Sequence, residues 1–165
     1  MDADPQIVAT VITVSDEVHS GMDGNRAGLL AVELLGRHDI HTELVVVPDD
    51  IEQIRAAVDA ARTAGSRLVM TSGGTGIGPT DVTVDAVGPL LSYQVPGICE
   101  EIRRRGATKV ASALVSREIA GVILGDPSVL VLTAPGSRGG VRDAIEVVGP
   151  LLGQIVAQLD GAGHL

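Results

Sequence analysis

The sequence predicts an α/β fold built around a mixed, mostly parallel sheet, and three observations carry that expectation. Runs rich in β-branched residues alternate with stretches of helical period, the pattern of βαβ units. The early runs each end in a polar, turn-forming junction that leads into a helical stretch. The last two runs are separated only by Gly125-Asp126-Pro127-Ser128, a connection of a length that suits an antiparallel hairpin.

Taken in order, the first strand is expected over residues 7–14 (IVATVITV), followed by the polar turn SDEVHSGMDGN. A helix over residues 26–37 carries Leu29, Leu30, Leu34 and Leu35, with Asn25 placed to cap it. A second strand over residues 42–47 runs into Pro48-Asp49-Asp50, after which Ile51, Ile54, Val58 and Ala61 recur at helical spacing until Gly65 stops the helix. The third strand, residues 68–71, delivers the glycine-rich loop TSGGTGIGPTD. Beyond it one helix begins near Thr83, and Pro96-Gly97 opens another whose basic end, Arg103-Arg104-Arg105, suits a helix C-terminus facing solvent. Strands over residues 119–124 and 129–133 form the hairpin, and Ala134–Gly140 (APGSRGG) leads into a final helix over residues 141–159.

Composition sets outer bounds. A length of 165 residues suits one domain, and 45% apolar residues without Phe or Trp, and with Tyr93 alone among aromatics, call for a core of Val, Leu, Ile and Ala. Such a small-residue core leaves aliphatic surface that a sister subunit would cover, so an oligomer is expected. The net charge of −9 opposes non-specific binding to nucleic acid or to an anionic membrane. Cys99 is the single cysteine, so no internal disulfide forms, and the acidic start MDADPQ has no basic region of the signal-peptide kind; a cytoplasmic location is expected. His19, His38, His41 and His164 show no zinc-ligand spacing.

In an open α/β sheet, ligands gather at the carboxyl ends of the parallel strands. Four polar junctions are expected there: Ser15-Asp16, Pro48-Asp49-Asp50, the loop of residues 72–81, and Pro135-Gly136-Ser137. In the loop, Gly73, Gly74 and Gly76 let backbone N–H groups point at an anion, and the hydroxyls of Ser72 and Thr75 add donors. It is neither a Walker A loop nor G-x-G-x-x-G in phase, and the same composition serves a tight strand-to-helix turn; both readings stand on the bare motif. Asp16, Asp49 and Asp81 suit Mg²⁺ with substrate phosphates, whereas Asp49, Asp50 and Asp81 each also precede a helical pattern and so suit capping. Ser137 with Arg138 offers a second set of anion donors.

Four segments in this order, VITVSD (residues 11–16), VVPDD (46–50), TSGGTGIGPTDVTVDA (71–86) and TAPGSRGGVRDAIEVVGPLL (133–152), resemble the MogA and MoaB group of molybdopterin-binding proteins. Between them PGICEEIR and LVSR are similar to two further segments of that group, so the likeness spans nearly the whole chain. The resemblance implies a single molybdopterin-binding domain over residues 1–165, folded as a three-layer α/β/α sandwich and assembled as a trimer or hexamer. It implies joining of molybdopterin to the adenylyl group of Mg-ATP with release of pyrophosphate, and hand-over of the product to a molybdenum insertion enzyme. Carried over by motif, Asp49 and Asp81 are the catalytic, metal-associated carboxylates. Gly73, Gly74, Thr75 and Gly76 hold phosphate beside Ser72, Ser15 and Asp16 lie near the nucleotide, and Ser112, Ser116, Pro135, Gly136 and Ser137 lie towards the pterin. Thr80 and Val84 stand where active adenylyltransferases often carry a basic residue and a proline, which keeps a non-catalytic molybdopterin-binding protein as the alternative.

Overall fold

A computed structural model describes residues 5–162. His164 and the first four residues of the acidic start lie outside them. Six strands form one sheet in the order β2-β1-β3-β6-β5-β4: β1 (Val8–Val14), β2 (His41–Val47), β3 (Leu68–Ser72), β4 (Tyr93–Gln94), β5 (Ala120–Ile123) and β6 (Val129–Ala134). β2, β1, β3 and β6 are mutually parallel, while β5 runs antiparallel to both β6 and β4. The mixed sheet with its one antiparallel hairpin region is therefore as expected.

Alternation along the strands builds the layers, because successive side chains point to opposite faces. Val11, Met70 and Leu132 face one way, towards α2 (Arg26–Gly36), α5 (Pro96–Ala107), α6 (Arg138–Val148) and α7 (Leu152–Leu159). Ile12, Val69 and Val131 face the other, towards α3 (Ile51–Thr63) and α4 (Thr83–Val87). Both faces of β1, β3 and β6 are buried, which explains why these strands read as nearly unbroken apolar runs. No helix among the described residues is long and apolar enough to cross a membrane.

The structure departs from the sequence expectation at four places, each with a local cause. The turn after β1 contains a short helix, α1 (Asp16–His19), started by Ser15, whose Oγ accepts the Val18 N–H at 3.2 Å. Asn25 does not cap α2: it sits in the left-handed region and its Oδ1 accepts the Thr13 hydroxyl instead. The last helix begins at Arg138, because Ser137 Oγ accepts the Gly140 N–H, and breaks at Gly149–Leu151, because Pro150 supplies no N–H to continue it. Two-residue β4 is too short to show a period in the sequence.

Register positions the site. Val14 pairs with Val47, Thr13 with Ser72, and Ser72 with Ala134, so the four parallel strands end at one level. The four polar junctions expected at one edge are thereby brought together.

Candidate functional site

The glycine-rich loop leaves β3 in a conformation that only glycine adopts without strain. Gly73 (φ +108°) and Gly74 (φ +69°) lie in the left-handed region, and a Cβ at Gly73 would collide with the Val14 carbonyl while one at Gly74 would collide with the Thr83 hydroxyl. Gly73 N–H donates to Ala134 O at 3.0 Å, and Thr83 Oγ1 donates back to Gly73 O at 2.8 Å. The tight-turn reading of these two glycines is thus correct. Among the described residues, however, the N–H groups of Gly74, Thr75 and Gly76 donate to no protein acceptor. Thr75 itself is buried, so its side chain serves the loop's own packing, while Ser72 Oγ is committed to Pro135 O.

Arg117, to which sequence reasoning gave no role, clamps this loop. Its backbone N–H donates to Thr75 O at 2.7 Å, its Nε to Gly76 O at 3.0 Å and its Nη2 to Asp81 O at 2.8 Å, and it pairs with Asp85. The signal was present, a lone cation in the otherwise uncharged stretch between Lys109 and Glu118, but its partners lie 32 to 42 positions earlier in the chain. Beside it, Ser116 Oγ stands 3.1 Å from Thr75 Oγ1 and 3.2 Å from Glu118 Oε2. Glu118 is 2% exposed, and burial pushes its carboxyl up against the opposing pull of Arg103. Arg103 is no solvated helix end: its Nε donates to Ser116 O at 2.9 Å.

The three aspartates divide. Asp16 and Asp49 hold each other, Asp49 N donating to Asp16 Oδ1 at 2.9 Å and Asp16 N donating to Asp49 Oδ2 at 3.3 Å, which ties the end of β2 to the start of α1. Asp81 accepts the Gly78 N–H at 3.0 Å within the loop. Neither Asp49 nor Asp81 caps a helix; that role falls to Asp50, which accepts from Gln53 N–H at 2.9 Å. Among the described residues no Lys, Arg or His forms an ion pair with Asp16, Asp49 or Asp81, and no group of three His, Cys, Asp or Glu is arranged to hold a metal. The Asp49 carboxyl is pushed up, first by burial and further by the charges of Asp16, Glu17 and Asp81.

Two clefts flank Pro135-Gly136-Ser137. One, of about 410 Å³, is lined by Ser15, Ser72, Gly136, Arg26 and Arg138; neither arginine has an acidic partner among the described residues. The other, of about 340 Å³, is lined by Ser112, Ser116, Pro135, Ser137, Lys109 and Asp143. Of the residues expected in the site, Asp16, Asp49, Asp81, Gly73, Gly74, Thr75 and Gly76 line neither cleft, though they occupy the same sheet edge. Arg26, on the first turn of α2, was not foreseen as a site residue because a helix-start arginine carries no motif.

Two outcomes are expected. Gly73→Ala should lower stability by about 2–4 kcal/mol, measured by urea unfolding, because it adds both left-handed strain and a backbone collision. Asp49→Asn should raise it slightly. A carboxyl whose pKa is raised by folding costs no stability below its ordinary value of 3.8 and its full penalty above the raised one. At this partly exposed position screening keeps the effect small, so Asp49→Asn should raise Tm by about 1–2 °C at pH 7, with the gain vanishing below about pH 3.8.

Comparison with known proteins places the chain in a family. The family described as "Probable molybdopterin binding domain" matches residues 10–154. The chain is 35% identical to molybdenum cofactor biosynthesis protein B of Staphylococcus epidermidis, covering 93% of this chain and 89% of that protein. It is 33% identical to the molybdopterin adenylyltransferase of Pyrococcus furiosus, over 84% and 82% of the two chains. A 34% identity to the molybdenum cofactor biosynthesis bifunctional protein of Chlorobaculum tepidum covers 93% of this chain and 49% of that one, so the chain spans about half the length of the bifunctional relatives it matches. The crystal structure of a molybdopterin biosynthesis protein from Mycobacterium abscessus superposes with a TM-score of 0.87 at 39% identity, over 94% and 98% of the chains. The chain belongs to the molybdopterin-binding family of molybdenum cofactor biosynthesis that includes the MogA and MoaB proteins.

Proposed function

We propose that this chain binds molybdopterin in the cleft of Ser112, Ser116 and Ser137 and joins its terminal phosphate to the adenylyl group of Mg-ATP. The observation that carries this reading is the pair of clefts on either side of Pro135-Gly136-Ser137, one bearing two arginines unpaired among the described residues and the other serines and small apolar residues. A reaction between two phosphates needs two anionic partners brought together against their repulsion. Arg26 and Arg138, with the free N–H groups of the glycine loop, supply positive ends for them.

The carboxylates Asp49 and Asp81 fit a divalent cation by chemistry: they are oxygen donors with no ion-pair partner among the described residues, and burial and their acidic neighbours disfavour the charge on Asp49. Mg²⁺ bound there would offset the charge that develops as an oxygen of the pterin phosphate bonds to the α-phosphorus and pyrophosphate leaves. Asp16 would hold Asp49 in place through their reciprocal hydrogen bonds. Arg117 would keep the backbone donors of the loop aimed at the phosphate. The second reading, a molybdopterin carrier without transferase activity, is favoured by Thr80, an exposed neutral residue beside Asp81.

A trimer or hexamer belongs to this reading. Val110, Leu114 and Val115 lie exposed within one short segment, an apolar surface that a second copy would cover. Sedimentation should accordingly give a mass that is a multiple of three chains; a monomer at micromolar concentration rejects the assembly.

The activity is tested by incubating the protein with molybdopterin and Mg-ATP and following adenylylated pterin by chromatography and mass spectrometry. Wild type should form it, and Asp81→Asn should reduce the rate by at least about 100-fold, with an unchanged circular-dichroism spectrum. Pterin retained without product favours the carrier.

A further inference from the structure

The cleft beside Ser137 contains a carboxylate that the proposed chemistry does not use. Asp143, on α6, is only 3% exposed, yet it lines this cleft together with small neighbours such as Gly106, Ala113 and Gly140. Its Oδ1 accepts from Lys109 Nζ at 2.6 Å. Its Oδ2 accepts no hydrogen bond among the described residues, and lies on the Gly106 side, 3.7 Å from where a side chain at Gly106 would begin. The cleft leaves that oxygen within reach of a donor on a ligand.

The ion pair itself does not account for the arrangement. The Lys109 side chain is 56% exposed, so its attraction for Asp143 is weakened by solvent. What Lys109 does is cancel the charge, so the cleft neither attracts cations nor repels anions strongly. The remaining property of Asp143 is directional: a carboxylate oxygen waiting for N–H donors on a neutral ligand.

Building on the molybdopterin reading, we infer that Asp143 is the specificity-determining acceptor for the amino-pyrimidinone edge of the pterin. That edge carries a ring N–H beside an exocyclic amino group, two adjacent donors that match a carboxylate. Seating it at Asp143 directs the opposite, phosphate-bearing end of the ligand past Ser137 towards Gly136, which lines the arginine-bearing cleft. The assignment therefore fixes which way round the substrate lies as well as which ring is accepted.

The test uses calorimetric titration of the full chain with two probes, 6-hydroxymethylpterin and 6-hydroxymethyllumazine, in which an oxo group replaces the amino group. Wild type should prefer the pterin by at least about tenfold, because a site built for a donor rejects the analogue lacking it. Asp143→Ala should reduce the preference to about threefold or less, whereas Lys109→Met, which breaks the same ion pair but keeps the acceptor, should retain it. Preference surviving in Asp143→Ala overturns the assignment while leaving the molybdopterin reading intact. Equal loss in both variants also overturns it, since the ion pair would then be the cause. If Asp143→Ala fails to fold, Asp143→Asn replaces it, and equal affinity of wild type for the two rings overturns the assignment on its own. Failure of wild type to bind either probe or molybdopterin itself removes the molybdopterin reading, and the assignment with it.

Discussion

The close approach of the backbone at Gly73 to β1 and to Gly136 governs the geometry of the whole carboxyl edge. Gly73 pairs with Ala134 O, leaves no room for a Cβ against the Val14 carbonyl, and lies so near Gly136 that a side chain there would begin 3.2 Å from the Gly73 Cα. Three strand ends are thereby held together without side chains between them. The chain then turns through left-handed Gly74 and carries past the end of the sheet three N–H groups without a protein acceptor among the described residues. The same glycines that make the turn possible thus also carry the N–H groups that have no backbone acceptor among the described residues, so both are consequences of one conformation.

Charge is partitioned along this edge in a way the net value of −9 conceals. Asp16, Asp49 and Glu17 cluster at the ends of β1 and β2, where burial first and their mutual repulsion second push the Asp49 carboxyl up. Arg26 and Arg138 line a cleft without acidic partners among the described residues, and Arg117 spends its guanidinium on loop carbonyls and Asp85. Local fields of this kind, set by backbone dipoles and a few oriented side chains, outweigh a distant net charge within a cleft.

Below the loop buried and half-buried polar groups form a continuous scaffold. Thr75, Ser116, Glu118 and Arg103 link the glycine loop through the segment before β5 to α5. Because Glu118 sits at 2% exposure beside Ser116, whose one hydroxyl proton can serve Thr75 or Glu118 but not both, the orientation of this chain is coupled from end to end. Such a network couples the loop to the second cleft, which shares Ser116.

The sequence alone determined the parallel strands, the hairpin at Gly125-Asp126-Pro127-Ser128 and the gathering of four polar junctions at one edge. These rest on period and turn chemistry, which are local, and the three-layer fold and the family were legible in the order of four short motifs. Only the tertiary structure decided that Arg103 and Arg117 point inward to carbonyls and that Asp49 grips Asp16 rather than capping α3. It alone decided, too, that Arg26 and Arg138 share a cleft and that Asp143 is buried beside the other cleft with one oxygen unbonded among the described residues. Most of those partners lie more than ten positions apart in sequence, and a side chain's charge or hydroxyl gives no sign of which distant backbone group it will meet. That choice belongs to strand register and helix packing, which no window of the sequence contains.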